Sequence, residues 1–318
     1  MGNKRYLHRQ LYCANQFNRA VPRVFICRHG ETEWSLNGLH TGQSPALPDD
    51  HAIDIDPGKT DLPLTANGVR RMQAAAKALV GEDRLITAST ITQIFVSPRQ
   101  RAHQTLSILG LPSSVPVCET QALAEWDYGE YEGVTTDAIK ASRPGGKWDI
   151  WVDGCPGGES PQDISTRVDK LIADIRDIHR KAMEEGTPGD VLCVAHAHIL
   201  RSFTARWLGV PVSAGRHFLL DAGGAGVLWY VSLCGSRDLI SSYEHHSLDE
   251  PAVDCWNVTD GSPYLFCCTD LQGRELDRLF RDLVLTSASL HGFQKSTYYQ
   301  IYLVKVSHRS TQVIPINF

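Results

Sequence analysis

The feature that most constrains the fold of this chain is a set of four short apolar runs, each of which leads into polar or charged residues. The runs occupy residues 24–27, 94–96, 115–118 and 191–195. Runs of this length with β-branched residues are typical of strands that are buried on both faces of a parallel sheet. The sequence therefore predicts a central, mostly parallel sheet that contains these four strands.

Helical patterns lie between the apolar runs. One opens at 65–68 and continues to Leu79, and others cover 101–109, 160–183 and the segment from Ile199 to just before Gly209. Ser160 followed by Pro161 suits an N-cap with proline in the first helical position. Because strands alternate with helices, we expect an α/β fold, a three-layer α/β/α sandwich.

Composition limits the class of protein and of ligand. The chain has 318 residues, 42% of them hydrophobic and 21% charged, with a formal net charge of −5. This is the composition of a globular protein, and its acidity disfavours nucleic acid as a partner. No apolar stretch reaches the roughly 20 residues of a membrane helix, so we expect no membrane association. The nine cysteines form no Cys-x-x-Cys pair and several lie in apolar runs, which favours a reducing compartment, the cytoplasm.

Three regions depart from the strand and helix pattern. Residues 1–21 form a basic leader that we expect to be disordered, with an organelle transit sequence as the alternative. Residues 22–256 form the predicted catalytic domain, with inserted loops near 43–59 and 231–242. The loop at 43–59 is either a lid or a tolerated surface insertion. Residues 257–318 are a C-terminal extension without an assigned role, in which 298–306 could form a strand.

The polar residues that follow the runs carry the chemistry. In α/β folds, functional groups collect at the carboxyl ends of the parallel strands, so clusters far apart in sequence can meet at one rim. Arg28, His29 and Gly30 follow the first run. An imidazole can attack phosphorus and form a covalent intermediate, and arginine binds phosphoryl oxygens through paired donors. The alternative is a hydrogen-bonded structural histidine.

Taken together, the clusters resemble the histidine phosphatase, or phosphoglycerate-mutase-like, superfamily. Arg28-His29-Gly30 is similar to its signature, and 97–105 (SPRQRAHQT) resembles its second arginine motif with Arg101 as the phosphate-binding arginine. The segment 125–133 (EWDYGEYEG) resembles its acid motif, and His196 matches its second phosphate-binding histidine. The motifs occur in the order in which the family has them.

The resemblance implies a mechanism and a set of catalytic residues. His29 is the expected nucleophile, and Glu125 is the expected proton donor to the leaving oxygen. Arg28, Arg101 and His196 are expected to surround the phosphoryl oxygens. This set implies no metal and no cofactor, because side chains supply the positive charge. His196 and His198 could form half of a zinc site, an alternative that lacks a third ligand motif.

Further positions are candidates for substrate binding or, in one case, for the role of the acid. Ser35 stands where many relatives carry a phosphate-binding Asn, and Thr41-Gly42 fits a substrate loop. Arg99 either contacts a second phosphate or caps a helix. Ala197 replaces the glycine that usually follows the second histidine. Asp127 is the alternative acid, although a solvated turn carboxylate is the simpler interpretation of it.

Other segments, which include 148–155 and 218–228, resemble the fungal sedoheptulose bisphosphatases within that superfamily. This group implies hydrolysis of the 1-phosphate of sedoheptulose 1,7-bisphosphate, so a small sugar bisphosphate is the expected partner. One alternative is a mutase or a broader sugar-phosphate phosphatase that acts on fructose bisphosphate or phosphoglycerates. Another is an inactive member that binds phosphorylated ligands or acts as a scaffold. The sequence leaves open whether the chain forms a homo-oligomer.

Overall fold

A computed structural model describes residues 21–40, 61–82, 84–230, 251–259, 301–307 and 310–316. The predicted leader (except residue 21), both predicted inserted loops and most of the C-terminal extension lie outside this part of the chain. The strands of the main sheet are β1 (Val24–Arg28), β2 (Ile91–Val96), β3 (Val117–Glu119), β4 (Asp190–Ala195), β5 (Ala225–Tyr230) and β6 (Pro251–Val258).

The six strands form one mixed sheet in the order β3-β2-β4-β1-β5-β6. The four strands from β3 to β1 pair in parallel, as predicted, whereas β5 runs antiparallel to β1 and to β6. β4 is the central parallel strand, and every one of its residues is buried. The prediction that all four runs are fully buried is wrong for β3, which is a three-residue edge strand whose residues are all exposed.

The helices have sequence signals at their ends. Thr65 caps α2 through its side chain, which accepts a hydrogen bond from the N–H of Gly68. Ser160 and Asp163 form a reciprocal capping box at the start of α6, and Pro161 takes the first helical position as predicted. The helices are α1 (Glu33–Asn37), α2 (Ala66–Leu79), α3 (Gln100–Leu109), α4 (Thr136–Ser142), α5 (Ile150–Asp153), α6 (Pro161–Glu185) and α7 (Ala197–Trp207).

The sheet lies between two helical layers, which confirms the predicted three-layer α/β/α sandwich. Side chains of β1 alternate between the layers, since successive residues of a strand point to opposite faces. Val24 and Ile26 belong to one apolar cluster with the buried faces of α6 and α7. Phe25 and Cys27 belong to a second cluster with the buried faces of α2 and α3.

Two further strands lie in the C-terminal extension. β7 (Ile301–Ser307) and β8 (Ser310–Ile316) pair in an antiparallel ladder, and β7 corresponds to the strand predicted near 298–306. In the described part of the chain, no helix is long and apolar enough to cross a membrane. The described cysteines are free thiols: Cys27, Cys118, Cys155, Cys193 and Cys255.

A buried histidine makes the stability of this fold depend on pH. His179 of α6 is fully buried, and its Nδ1 shares a 2.8 Å hydrogen bond with the hydroxyl of Tyr230. Burial lowers the pKa of His179 from 6.5 to about 4. Between these pH values the unfolded chain binds a proton that the folded chain excludes, so the stability is present above pH 6.5 and is lost as the pH falls towards 4.

We therefore expect His179→Gln to remove part of the acid sensitivity. From about pH 7.5 to about pH 5, the free energy of unfolding of the wild type should fall by about 2 kcal/mol more than that of the variant. Urea unfolding at the two pH values measures the difference. His103→Gln, at a surface histidine that pairs with Glu119, is the control and should keep the wild-type dependence. Equal pH dependence of wild type and His179→Gln would contradict the prediction.

Candidate active site

The parallel strands end at one rim and bring the predicted clusters together. β1 and β4 pair in register up to Arg28 and Ala195, and the N–H of His29 donates to the carbonyl of Ala195 at 2.9 Å. On the other side of β4, the N–H of Ser97 donates to the carbonyl of Val194 at 3.0 Å. The residues that follow β1, β2 and β4 are therefore neighbours, as the sequence predicts.

His29 is a neutral imidazole in which one ring nitrogen keeps an available lone pair. Its side chain is 5% exposed, and Nδ1 lies 2.7 Å from the carbonyl of Gly30. A carbonyl only accepts, so Nδ1 carries the proton and Nε2 keeps its lone pair. Burial lowers the pKa of His29 well below its usual value, and the charges of Arg101 and Arg28 lower it further. The group can therefore act as a nucleophile without first losing a proton.

The tight turn before β5 holds the other side of the rim. The N–H of Arg28 donates to the carbonyl of Gly224 at 2.9 Å, and the N–H of Gly223 donates to the carbonyl of His29 at 3.0 Å. Gly223 has a φ of +77°, which favours glycine. The glycine-rich run 222–226 is thus a tight turn that enters β5.

Three arginines give the rim its positive charge. Burial lowers the pKa of Arg101 to about 10, and the charge of Glu125 opposes this effect. Arg28 is held by a 2.6 Å hydrogen bond from Nη1 to the carbonyl of Leu220. The Nε atoms of Arg28 and Arg99 are buried and have no hydrogen-bond partner among the described residues. Buried donors without partners are costly, so this arrangement is suited to an anion with several oxygens.

His196 lies between His29 and the arginines. Its ring lies 5.0 Å from that of His29, centroid to centroid, in an edge-on arrangement. The Nε of Arg101 donates to Nδ1 of His196 at 3.1 Å, and Nε2 lies 2.6 Å from the hydroxyl of Ser97. Burial lowers the pKa of His196 well below its usual value, with Arg101 as the next cause. Like His29, it is a neutral side chain beside fixed positive charges.

Glu125 is anchored at the N-terminus of the helix that follows His196. Its Oε1 accepts hydrogen bonds from the N–H groups of Trp126 and Ile199, and its Oε2 accepts one from His198. Two of these donors belong to the first turn of α7, whose dipole favours a negative charge. The Glu125 charge acts on both Arg28 and Arg101, which places the carboxylate beside the arginine cluster.

The loop that carries Glu125 is held by residues that the sequence analysis missed. Arg167 of α6 pairs with Glu159 at 2.6 Å and donates to the carbonyls of Ala122, Ala124 and Glu125. The guanidinium supplies a fork of donors that a short, irregular loop needs. No local pattern identifies this role of Arg167, because the three carbonyls lie more than 40 residues earlier in the chain.

Thr105 is a second residue whose role the sequence analysis missed. Its hydroxyl accepts a hydrogen bond from the N–H of Gly30 at 3.1 Å and donates to the carbonyl of Arg101 at 2.8 Å. It thereby joins the loop of the nucleophile to the helix that carries the arginine. The signal was present in the motif, since Thr105 is one turn after Arg101 and lies on the same face of α3.

The alternative acid, Asp127, has a local role in the structure. Its Oδ1 accepts a hydrogen bond from the N–H of Gly129 at 2.9 Å, and its own N–H donates to Glu159. This is the turn carboxylate of the simpler interpretation. Glu125, not Asp127, is the carboxylate whose charge acts on the arginines Arg28 and Arg101.

The remaining predicted ligands have different surroundings. The hydroxyl of Ser35 accepts from the N–H of Thr32 and donates to its carbonyl, so it is used in the cap of α1. Ala197 occupies the first position of α7, directly after His196. Thr41 and Gly42 lie outside the described residues. The binding roles of these four positions stay predictions.

The His196-x-His198 spacing does not form a metal site in this geometry. Arg101 and Ser97 engage both ring nitrogens of His196, and the hydroxyl of Tyr128 lies 2.7 Å from Nδ1 of His198. A nitrogen lone pair that already accepts a hydrogen bond from a cation cannot also bind zinc. Within the described ranges, no group of three His, Cys, Asp or Glu residues is placed to hold a metal ion.

Comparison with known families and proteins agrees with this geometry. The model of the histidine phosphatase superfamily, branch 1, matches residues 24–231, a range that contains all five predicted catalytic residues. Sedoheptulose 1,7-bisphosphatase of Saccharomyces cerevisiae is 35% identical over 278 residues, with 74% of this chain and 92% of the yeast protein covered.

Two mycobacterial proteins are also similar. An acid phosphatase of Mycobacterium tuberculosis is 35% identical over 205 residues. The alignment covers 64% of this chain and 85% of the acid phosphatase. The solved structure of the Rv3214 protein from the same organism superposes with a TM-score of 0.55 at 29% sequence identity. It covers 76% of this chain and 100% of the solved chain.

The arginine cluster predicts that the free protein binds an oxyanion. We expect inorganic phosphate to bind, and Arg101→Met to raise its dissociation constant by about tenfold or more, since a buried charged hydrogen bond is lost. Isothermal titration calorimetry measures the affinity. Arg180→Met removes a surface arginine that pairs with Asp177 and should leave phosphate binding unchanged. Equal affinities of both variants would show that the cluster does not bind the anion.

Proposed function

The chain belongs to the histidine phosphatase superfamily, branch 1, and is a phosphatase; from this premise we propose that it hydrolyses a sugar bisphosphate. The proposed substrate is sedoheptulose 1,7-bisphosphate, which would yield sedoheptulose 7-phosphate and phosphate. The observation that carries the chemistry is the neutral His29, which keeps a lone pair on Nε2 and whose pKa is lowered by burial and by the charges of Arg101 and Arg28. Similarity to the yeast sedoheptulose 1,7-bisphosphatase supports the choice of substrate.

The first proposed step forms a phosphohistidine. Nε2 of His29 attacks the phosphorus of the 1-phosphate, and the bond from phosphorus to the sugar oxygen breaks. The guanidinium groups of Arg28 and Arg101 neutralise the charge on the phosphoryl oxygens during transfer. Glu125 enters this step as a carboxylic acid, and its proton goes to the leaving oxygen, so the sugar departs as an alcohol. Glu125 then becomes the carboxylate that its backbone N–H donors stabilise.

The second proposed step releases phosphate. Glu125 accepts a proton from a water molecule, whose oxygen attacks the phosphorus as the bond to Nε2 breaks. The imidazole of His29 returns to its starting state. The proton on Nδ1 stays there throughout, because the Gly30 carbonyl accepts a hydrogen bond from it. Oε2 of Glu125 accepts one backbone N–H whereas Oε1 accepts two, so Oε2 has more capacity to carry the transferred proton.

This mechanism predicts that His29→Asn abolishes turnover. We expect the wild type to release phosphate from sedoheptulose 1,7-bisphosphate and the variant to be slower by about 10⁴-fold or more, since the nucleophile is lost. Malachite green detection measures phosphate, and mass spectrometry identifies the sugar product. His103→Asn, at an exposed histidine within residues 97–105, is the matched control and should keep wild-type activity.

The same assay separates the alternatives. A panel of sedoheptulose 1,7-bisphosphate, fructose bisphosphate and phosphoglycerates ranks the substrates by kcat/KM. A mutase would return an isomer of its substrate in place of free phosphate. An inactive member would bind sugar phosphate without turnover and would form no acid-labile phosphate on His29. Undiminished phosphate release by His29→Asn would overturn the proposal.

We also propose that Arg99 contacts the second phosphate of the substrate. Arg99 occupies the N-cap position of α3, but its side chain makes no capping hydrogen bond. A cation at a helix N-terminus is unfavourable, so the helix does not explain its presence. Its buried Nε has no partner in the described part of the chain, and its charge acts on both Arg101 and His196. These observations favour the ligand role over the capping role.

If Arg99 contacts the second phosphate, Arg99→Gln should weaken the use of a bisphosphate substrate more than that of a monophosphate. We expect KM for sedoheptulose 1,7-bisphosphate to rise about tenfold, since one charged hydrogen bond is lost. The KM for p-nitrophenyl phosphate, which has one phosphate group, should change by less than about threefold. Steady-state kinetics on both substrates test this, with Arg180→Gln as the surface control. An equal rise of KM for both substrates would assign Arg99 to the reacting phosphate instead.

A further inference from the structure

The hydroxyl of Ser97 occupies a central position behind the catalytic set. Ser97 follows β2 directly, is fully buried and places Oγ 2.6 Å from Nε2 of His196. The backbone of Ser97 is fixed by the hydrogen bond from its N–H to Val194, and Oγ also accepts the N–H of Arg99 at 3.4 Å. The hydroxyl is therefore held by the same strand ends that form the rim.

The hydrogen bonds around His196 determine where its proton lies. The Nε of a guanidinium only donates, so Nδ1 of His196 must accept the bond from Arg101 with a lone pair. The proton of the neutral ring is then on Nε2, and the hydroxyl of Ser97 accepts it. A chain of two buried hydrogen bonds thus runs from Arg101 through His196 to Ser97.

Each member of this chain constrains the next. If Nδ1 carried the proton, it would face the N–H of Arg101 and the arginine would lose its acceptor. Protonation of both nitrogens would add a cation next to Arg101 and would break the same bond. The N–H of Arg101 opposes both changes, and Ser97 favours the remaining state because it supplies an acceptor for the Nε2–H in a site without bulk water.

We propose that Ser97 is a positioning residue for phosphoryl transfer: through its 2.6 Å hydrogen bond it holds His196 in the Nε2–H tautomer, which fixes the guanidinium of Arg101 beside His29. Ser97 acts on the reaction through His196 and Arg101 and does not need to contact the reacting atoms. This inference rests on the proposed transfer to His29. It assigns a role to a side chain that the mechanism above does not use.

The first test measures the tautomer directly and needs no substrate. Two-bond ¹⁵N–¹H correlation spectra of histidine-labelled full-length protein report which ring nitrogen carries the proton, and His196→Asn identifies the His196 signal by its loss. We expect Nε2–H in the wild type and a mixture of tautomers in Ser97→Ala. Ser202→Ala removes an equally buried hydroxyl, which donates to the His198 carbonyl within α7, and should keep the wild-type His196 signal.

The second test measures the consequence for the reaction. We expect Ser97→Ala to lower kcat/KM for p-nitrophenyl phosphate by about 10- to 100-fold and to weaken binding of inorganic phosphate about tenfold, because a displaced Arg101 binds the phosphoryl oxygens less well. Ser97→Thr keeps the hydroxyl and should restore most of the activity. Thermal unfolding of each variant separates these effects from loss of fold.

The outcomes distinguish this inference from the proposed function. If Ser97→Ala keeps a pure Nε2–H tautomer, or keeps kcat/KM within about threefold of the wild type, the positioning role is wrong although the enzyme is a phosphatase. A loss of activity with unchanged tautomer and unchanged phosphate affinity also overturns it. If the wild type shows no phosphohistidine during turnover, the proposed mechanism fails, and the tautomer spectra still decide what Ser97 does to His196.

Discussion

The parallel pairing of β1 with β4 is the constraint on which the rest of the site depends. The register aligns Arg28 with Ala195, so that His29 and His196 follow their strands side by side. A shift of one residue would turn every side chain of β1 to the opposite face and exchange the residues that pack against α2 with those that pack against α6. The register is therefore fixed by the apolar packing of Val24 to Cys27, and the geometry of the site follows from the core.

Electrostatics explains why both histidines remain neutral beside so much positive charge. The chain has a net charge of −5, yet Arg28, Arg99 and Arg101 lie in one partly buried cluster that Glu125 only partly balances. Each imidazole would have to become a buried cation next to other cations, which burial and charge both oppose. The same field favours an anion and keeps His29 unprotonated, so one arrangement of charges has two effects.

The sequence predicts those parts of the molecule that local patterns determine. The strands, the capped starts of α2 and α6 and the common rim follow from apolar runs, capping residues and strand ends. Local patterns do not identify residues whose roles depend on contacts with distant parts of the chain. Arg167 reaches the Glu125 loop across more than 40 residues, and the exposure of β3 depends on its place at the sheet edge. Ser35 has a local role that its predicted ligand role does not include, because its hydroxyl takes part in the cap of α1.

The acid and the second histidine are not independent parts of the site. His196 is the N-cap residue of α7, and Glu125 binds the N–H groups of His198 and Ile199 in the first turn of that helix. Ala197 lies between them, where the resemblance leads one to expect glycine. Its backbone is helical and has no positive φ, so alanine fits there and is more favourable than glycine by about 0.4–1 kcal/mol. The substitution therefore supports the short helical turn that orients Glu125 and His196 together.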